Sequence, residues 1–227
     1  MDFLTLCQRA RQEAGITGEG PSTVLNQTGQ LERLVGWVNQ AWTDIQQMRP
    51  NWTFMHAEFT FNTVADQRDY VAADVLITDL KLWDTKSFLI HDPAIGYEDQ
   101  AEMIYLDYGR WRSQYRNQME ARATDKPQLF TVLPNNSIRF EPKPDGVYTI
   151  EGEYKRSTQV FADNTDAPTN LPDDFHMMIV WQALKYYGHY ENAPEVLEEA
   201  EVNFDTLLHR AEIDLLPAFS EDYEALA

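Results

Sequence analysis

The chain has 227 residues, 43% of them hydrophobic and 12% aromatic, with 37 acidic residues against 18 basic ones and a formal net charge of -19. That length suits one large domain or two small ones, and a pI near 4.5 argues against binding duplex DNA or an anionic membrane, whose affinity comes from cationic side chains. Six Trp and eleven Tyr argue against disorder, and the single cysteine, Cys7, excludes an internal disulfide and a cysteine-rich zinc site.

Residues 2–14 place Phe3, Leu6, Cys7, Ala10 and Ala14 on one helical face, with Asp2 as N-cap and Gly15 just past the end. The first residues have no basic start and no long apolar run, so neither an export signal nor a membrane span is expected. Gly15, Gly18, Gly20 and Pro21 make 15–27 a loop. From about Thr28 to Met48, Leu31, Leu34, Val35, Val38, Trp42 and Ile45 give the clearest helical period in the chain. Pro50 stops it, and Trp52, Phe54 and Met55 follow as an apolar cluster expected to pack beneath it.

The period then changes. Ala57, Phe59, Phe61 and Thr63 alternate with polar residues as a half-buried strand. Residues 78–90 read as one or two strands. Residues 97–117 read as a helix, with Ile104, Tyr108, Trp111 and Tyr115 on one stripe. Strands are expected at 128–133, 137–141 and 147–155, the last two joined by Pro142-Lys143-Pro144-Asp145-Gly146. A polar loop covers 157–171. A helix starts near Pro172-Asp173-Asp174 and buries Phe175, Met178, Ile179, Ala183, Tyr186, Tyr187 and Tyr190. Another starts near Pro194 and buries Leu197, Ala200, Phe204, Leu207, Leu208 and Ala211 before Pro217.

Segregated helices and strands indicate an α+β fold. The expected arrangement is a helical bundle from 1–55 and 172–215, an inserted antiparallel β-rich region with one helix at 56–171, and a tail at 216–227.

Charge is uneven along the chain. Residues 191–227 hold eleven acids and one base, Arg210, whereas 110–126 carries Arg110, Arg112, Arg116, Arg122 and Lys126 against Glu120 and Asp125. Such opposed patches suit pairing between neighbouring subunits or with a partner, the inter-subunit candidates being Arg110, Arg112 and Arg116 with Glu198, Glu199 and Glu201. The apolar residues Leu215, Leu216, Phe219, Tyr223 and Leu226 at the acidic end either dock on their own domain or insert into a partner.

Chemistry finds little support. The glycines at 15–20 follow a helix rather than a strand, so they lack the setting of a phosphate loop. The five histidines lack the short spacing of a helical zinc site. Asp163, Asp166, Asp173 and Asp174 lack the spacing of an EF-hand. No nucleophile elbow is present, and Cys7 on an apolar face reads as core. No catalytic residue, cofactor or metal is expected. The aromatics and arginines of 105–116 fit a single-strand-binding surface, although their helical spacing fits a core stripe equally.

The residues also carry a family pattern. Phe3-x-x-Leu6-Cys7-x-x-Ala10-x-x-Glu13-x-Gly15-Ile16-x-Gly18 leads into Gly20-Pro21. Then come Gln27-Thr28-Gly29, Arg33-Leu34-Val35-x-Trp37-Val38-x-x-Ala41-Trp42-x-x-Ile45-Gln46 and Trp52-x-Phe54-Met55. This stretch of about 55 residues resembles the head–tail adaptor (head completion or connector) proteins of tailed bacteriophages. Leu171-Pro172-x-x-Phe175-His176 and Ala183-Leu184-x-Tyr186-Tyr187-Gly188-x-Tyr190-Glu191 are similar to their C-terminal helix pair. The resemblance implies a non-enzymatic virion component, made in the host cytoplasm and placed at the neck. It implies a homo-oligomeric ring, usually of twelve subunits, that binds the portal protein and meets tail or neck proteins. It implies that genomic DNA passes through the channel of that ring without specific binding. An acidic lumen that repels phosphate fits that role, and a head-to-tail ring fits opposed patches. The rival readings are a tail-tube or terminator protein, an acidic-site hydrolase, and a single-stranded-DNA module.

Overall fold

A computed structural model describes residues 1–18, 20–116 and 123–217. Among them lie five α-helices: α1 (Phe3–Glu13), α2 (Gly29–Met48), α3 (Tyr108–Gln114), α4 (His176–Glu191) and α5 (Pro194–Leu215). Nine strands lie between the helical ends: β1 (His56–Asn62), β2 (Asp69–Tyr70), β3 (Leu80–Trp83), β4 (Leu89–His91), β5 (Ala101–Glu102), β6 (Ile104–Tyr105), β7 (Leu129–Val132), β8 (Ile138–Glu141) and β9 (Thr149–Arg156). The fold is α+β. The chain divides into a helical unit, 1–55 with residues from 158 on, and a β unit, 56–157.

In the helical unit, local chemistry sets the ends. Asp2 accepts a hydrogen bond from the Thr5 N–H at 2.8 Å, which caps α1, and the Thr5 side chain together with that N–H holds the Asp2 carboxyl below its ordinary value. Gly15 takes φ +67° just past α1, a conformation costly for a side chain with a Cβ. The indole N–H of Trp52 donates to the Ile45 carbonyl at 2.8 Å, satisfying a backbone acceptor in the last turn of α2. The Trp52 ring packs on Phe54, which stacks on Trp42, so the cluster after Pro50 lies against α2 as its composition predicts.

Helix α4 packs against α1, α2 and α5. Three neighbours explain why Met178, Ile179, Val180, Ala183 and Leu184 are all buried, a wider face than one stripe. Of the tyrosines expected inside, Tyr186 and Tyr187 are half-buried, while Tyr190 is exposed and lies under the Arg33 guanidinium. At Gly188 the two last helices touch, since a Cβ there would sit 2.9 Å from Leu197 Cβ.

Residues 158–171 belong to the helical unit rather than to the inserted region where they were expected. Two side-chain amides of α2 hold them. Asn39 donates to the Phe161 carbonyl at 2.9 Å and accepts the Phe161 N–H at 3.0 Å. Gln46 does the same to Gln159, at 2.9 and 2.8 Å. Each amide completes the pairing that a neighbouring strand would otherwise supply.

In the β unit, one sheet has the order β1-β9-β4-β5, with β3 also on β9. The whole of β1 runs antiparallel along one edge of β9, from His56 opposite Lys155 to Asn62 opposite Thr149. The other edge of β9 is shared, β3 taking Tyr154–Arg156 and β4 taking Thr149–Glu151. The second sheet has the order β2-β8-β7-β6, with β6 parallel to β7. Aromatics from both sheets form one core. Phe61 packs on Phe140 and Tyr70, and Phe88 stacks on Phe130 at 4.1 Å between centroids. Within it Arg68 and Glu141, almost entirely buried, form an ion pair at 2.7 Å.

The helix expected over 97–117 is a correction. Among the described residues of that range only Tyr108–Gln114 is α-helical, and 101–105 is extended. Backbone pairing decides it: the N–H groups of Met103, Ile104 and Leu106 donate to the carbonyls of Phe88, Gln128 and Phe130. Asp107 then starts α3 by accepting the Gly109 N–H at 2.8 Å. The stripe breaks accordingly, with Ile104 exposed and Trp111 buried.

Candidate functional site

The C-terminal helix presents one candidate surface. Ala200, Phe204, Ala211 and Leu215 face the core of the helical unit. The periodicity of α5 then turns Glu198, Glu199 and Glu201 to solvent. None of the three forms an ion pair among the described residues. Glu195, Glu198, Glu199, Val202 and Asn203 line a shallow acidic depression on this face.

Leu215 corrects the partner-binding expectation. Its side chain is 8% exposed in the helical core, and its carbonyl accepts a hydrogen bond from Thr53 Oγ1 at 3.1 Å. Leu216 is half-buried against the same core. A side chain held by its own domain has no surface left for a partner. Phe219, Tyr223 and Leu226 lie outside the described residues.

In the β unit, Arg110, Arg112 and Arg116 are exposed on and just after α3. They make no ion pair among the described residues. Of the aromatic rings in 105–116, Tyr105 is exposed with one side against Phe130, Tyr108 and Tyr115 are half-buried, and Trp111 is withdrawn from the surface. Trp111 is 1% exposed, with the Arg139 guanidinium 4.9 Å from its ring centroid, and Tyr108 stacks on it. A base cannot stack on a ring already covered by protein.

The outer face of the β1–β9 sheet is the surface that sequence reasoning missed. Glu58, Thr60, Ser87, Leu89, Tyr97, Glu151 and Glu153 border an open groove of about 600 Å³. Glu58 stands directly opposite Glu153. Glu151 accepts from the Tyr97 hydroxyl at 3.3 Å and from Gln100 Nε2 at 3.2 Å. The alternation around Phe59 carries the signal for Glu58, but only the β1–β9 register brings its partner opposite.

Groups with chemical potential are otherwise engaged. Burial pushes the Cys7 thiol up to about 12, which removes the thiolate needed for nucleophilic attack. Burial pushes the pKa of the His176 imidazole down, and its Nε2 meets the Leu171 carbonyl at 3.0 Å. Since a carbonyl only accepts, Nε2 carries the proton. Hydrogen bonding from Lys126 holds Asp99 low. Among the described residues, no three His, Cys, Asp or Glu side chains are grouped to hold a metal ion. No described helix is long and apolar enough to cross a membrane.

Compared with known proteins, the chain matches a family described as SU10 adaptor protein over residues 1–220. No curated protein matches it.

Proposed function

The chain belongs to the SU10 adaptor protein family, and from that premise we propose that it forms the ring beneath the portal of a tailed phage, extending the DNA channel and offering the platform for the tail. The family match across nearly the whole chain carries this reading, since it makes the protein a structural adaptor of a phage particle. The exposed charges support the assembly half. Arg110, Arg112 and Arg116 on one copy and Glu198, Glu199 and Glu201 on the next give a heterologous contact, the kind that closes into a ring. With Leu215 committed to the core, the portal-binding segment shortens to Phe219, Tyr223 and Leu226, which stand among Glu221, Asp222 and Glu224 in the sequence. The role is assembly and gating, with no bond chemistry.

The experiment is native mass measurement and particle imaging of the chain, alone and with its cognate portal ring. A discrete ring stacked on the portal is expected. Truncation after Pro217 should leave the fold intact and abolish that stacking. Unchanged portal affinity in the truncated chain would remove the tail from the interface, and a monomer in both samples would overturn the ring.

A further inference from the structure

Strand β1 ends its sheet, and its ladder leaves one edge open. Glu153 shows which edge. Its carbonyl accepts the Asp84 N–H at 3.0 Å and its N–H donates to Ser87 Oγ at 2.7 Å, both away from β1. The pair Glu58–Glu153 is therefore a non-hydrogen-bonded pair of the antiparallel ladder. At the other end, the Thr63 N–H donates to the Tyr148 carbonyl at 2.8 Å, which fixes the same alternation. Phe59 and Phe61 spend their backbone groups on β9. Glu58, Thr60 and Asn62 point theirs outward, and those groups find no hydrogen-bond partner among the described residues. All three residues are exposed.

Such an edge is a template for another strand. The charge beside it selects which strand. In a non-hydrogen-bonded pair the Cα atoms lie about 4.5 Å apart, so two glutamates there repel at close range. Glu151 stands diagonally across, and none of the three has an ion-pair partner among the described residues. A second copy pairing edge to edge through β1 would add another Glu58 to this group. The chain's own C-terminal segment brings Glu221, Asp222 and Glu224 and no base. Both carry the wrong sign.

We propose that the open edge of β1 accepts an extended Lys- or Arg-bearing segment of a partner protein as an added strand, its basic side chains lying over Glu58, Glu151 and Glu153. The main chain supplies affinity through Glu58, Thr60 and Asn62, and the carboxylates supply the choice of partner.

The test uses the full chain and two synthetic peptides, one alternating valine with lysine and one alternating valine with glutamate. Binding is read by titration calorimetry, and backbone amides by hydrogen exchange. The lysine peptide should bind and slow exchange at Glu58, Thr60 and Asn62. Thr60→Pro removes one outward N–H and no bond to β9, and should weaken binding about ten-fold. Glu58→Lys together with Glu153→Lys should reverse the preference between the peptides, and keeps a readout should Thr60→Pro unfold. The inference is overturned by any of four results: equal binding of both peptides, no binding, protection elsewhere in the chain, or protection of β1 arising from self-association alone. None of these outcomes depends on the portal, so failure here leaves the adaptor reading standing.

Discussion

At the scale of single residues, backbone conformation and burial separate what is tolerated from what is selected. Six described non-glycine residues have positive φ, and five of them are Asn or Asp. Those side chains bond locally and tolerate the left-handed region. The sixth is Leu76, at φ +60° and 91% exposed, with no packing to offset the strain. Leu76→Asn should raise stability by about 0.5–1 kcal/mol, read as a higher thermal midpoint; a lower midpoint would mean that the leucine side chain stabilises the turn. His176 makes the opposite point. Its folded value lies below 6.5 because burial disfavours the cation. As pH falls below 6.5 the unfolded chain gains a proton that the folded chain resists. The contribution is thus complete above 6.5 and is lost as pH falls toward the folded value. Urea unfolding between about pH 7.5 and pH 5 should show a shallower loss of stability in His176→Gln than in the natural chain. Equal slopes would show that the imidazole does not govern that loss.

At the scale of elements, the readable parts are those whose neighbours in sequence decide them. The Asp2 cap, the Gly15 stop and the Leu34–Val38–Trp42–Ile45 stripe are local, and each is where the period puts it. The misread segments are governed by partners far away. Residues 101–105 share helical spacing with 108–115, but Gln128 and Phe130 claim their amides, and no window of sequence around Ile104 contains that fact. The loop 158–171 looks polar, yet Phe161 and Leu171 are buried in the helical core and two amides of α2 hold its backbone. Asn39 and Gln46 sit seven apart on α2, two turns, and so face the same way toward Phe161 and Gln159. A polar residue on an amphipathic helix reads as solvent-facing until its partner is seen. Asn39→Ala and Gln46→Ala each leave a backbone N–H and carbonyl of the loop without partners, at a cost of about 1–3 kcal/mol. Amide exchange at Phe161 should quicken in the first and at Gln159 in the second. Unchanged exchange would mean that the ring contacts of Phe161 with Trp42 and Phe3 hold the loop unaided. For the candidate surfaces, the arginines and the α5 glutamates stand out in the sequence as local runs of one charge, and the structure adds that they are exposed. The acidic pair on β1 and β9 does not stand out, since it needs a register between residues 95 apart.

At the scale of the whole molecule, charge sets two opposed effects on assembly. Every copy carries a formal -19, so copies repel at long range. The proposed contact between Arg110, Arg112 and Arg116 and Glu198, Glu199 and Glu201 attracts at short range. Screening length separates the two. At about 0.01 M salt the Debye length is about 30 Å, and repulsion between whole subunits persists; at about 0.15 M it is about 8 Å, which suppresses that repulsion but spares pairs in contact; at about 1 M it is about 3 Å, and exposed pairs weaken too. Association of copies, followed by sedimentation, should therefore rise from low salt to about 0.15 M and fall again toward 1 M. A monotonic rise would mean that the contact is apolar and the charged patches only repel. The pairing itself is tested by exchange of sign. Arg112→Glu alone and Glu199→Arg alone should each weaken association, because each sets like charges together. The double variant should recover it, since in the proposed contact the two positions meet across copies. Two single losses that merely add in the double variant would mean that Arg112 and Glu199 do not meet, and the proposed charge pairing between copies would fall.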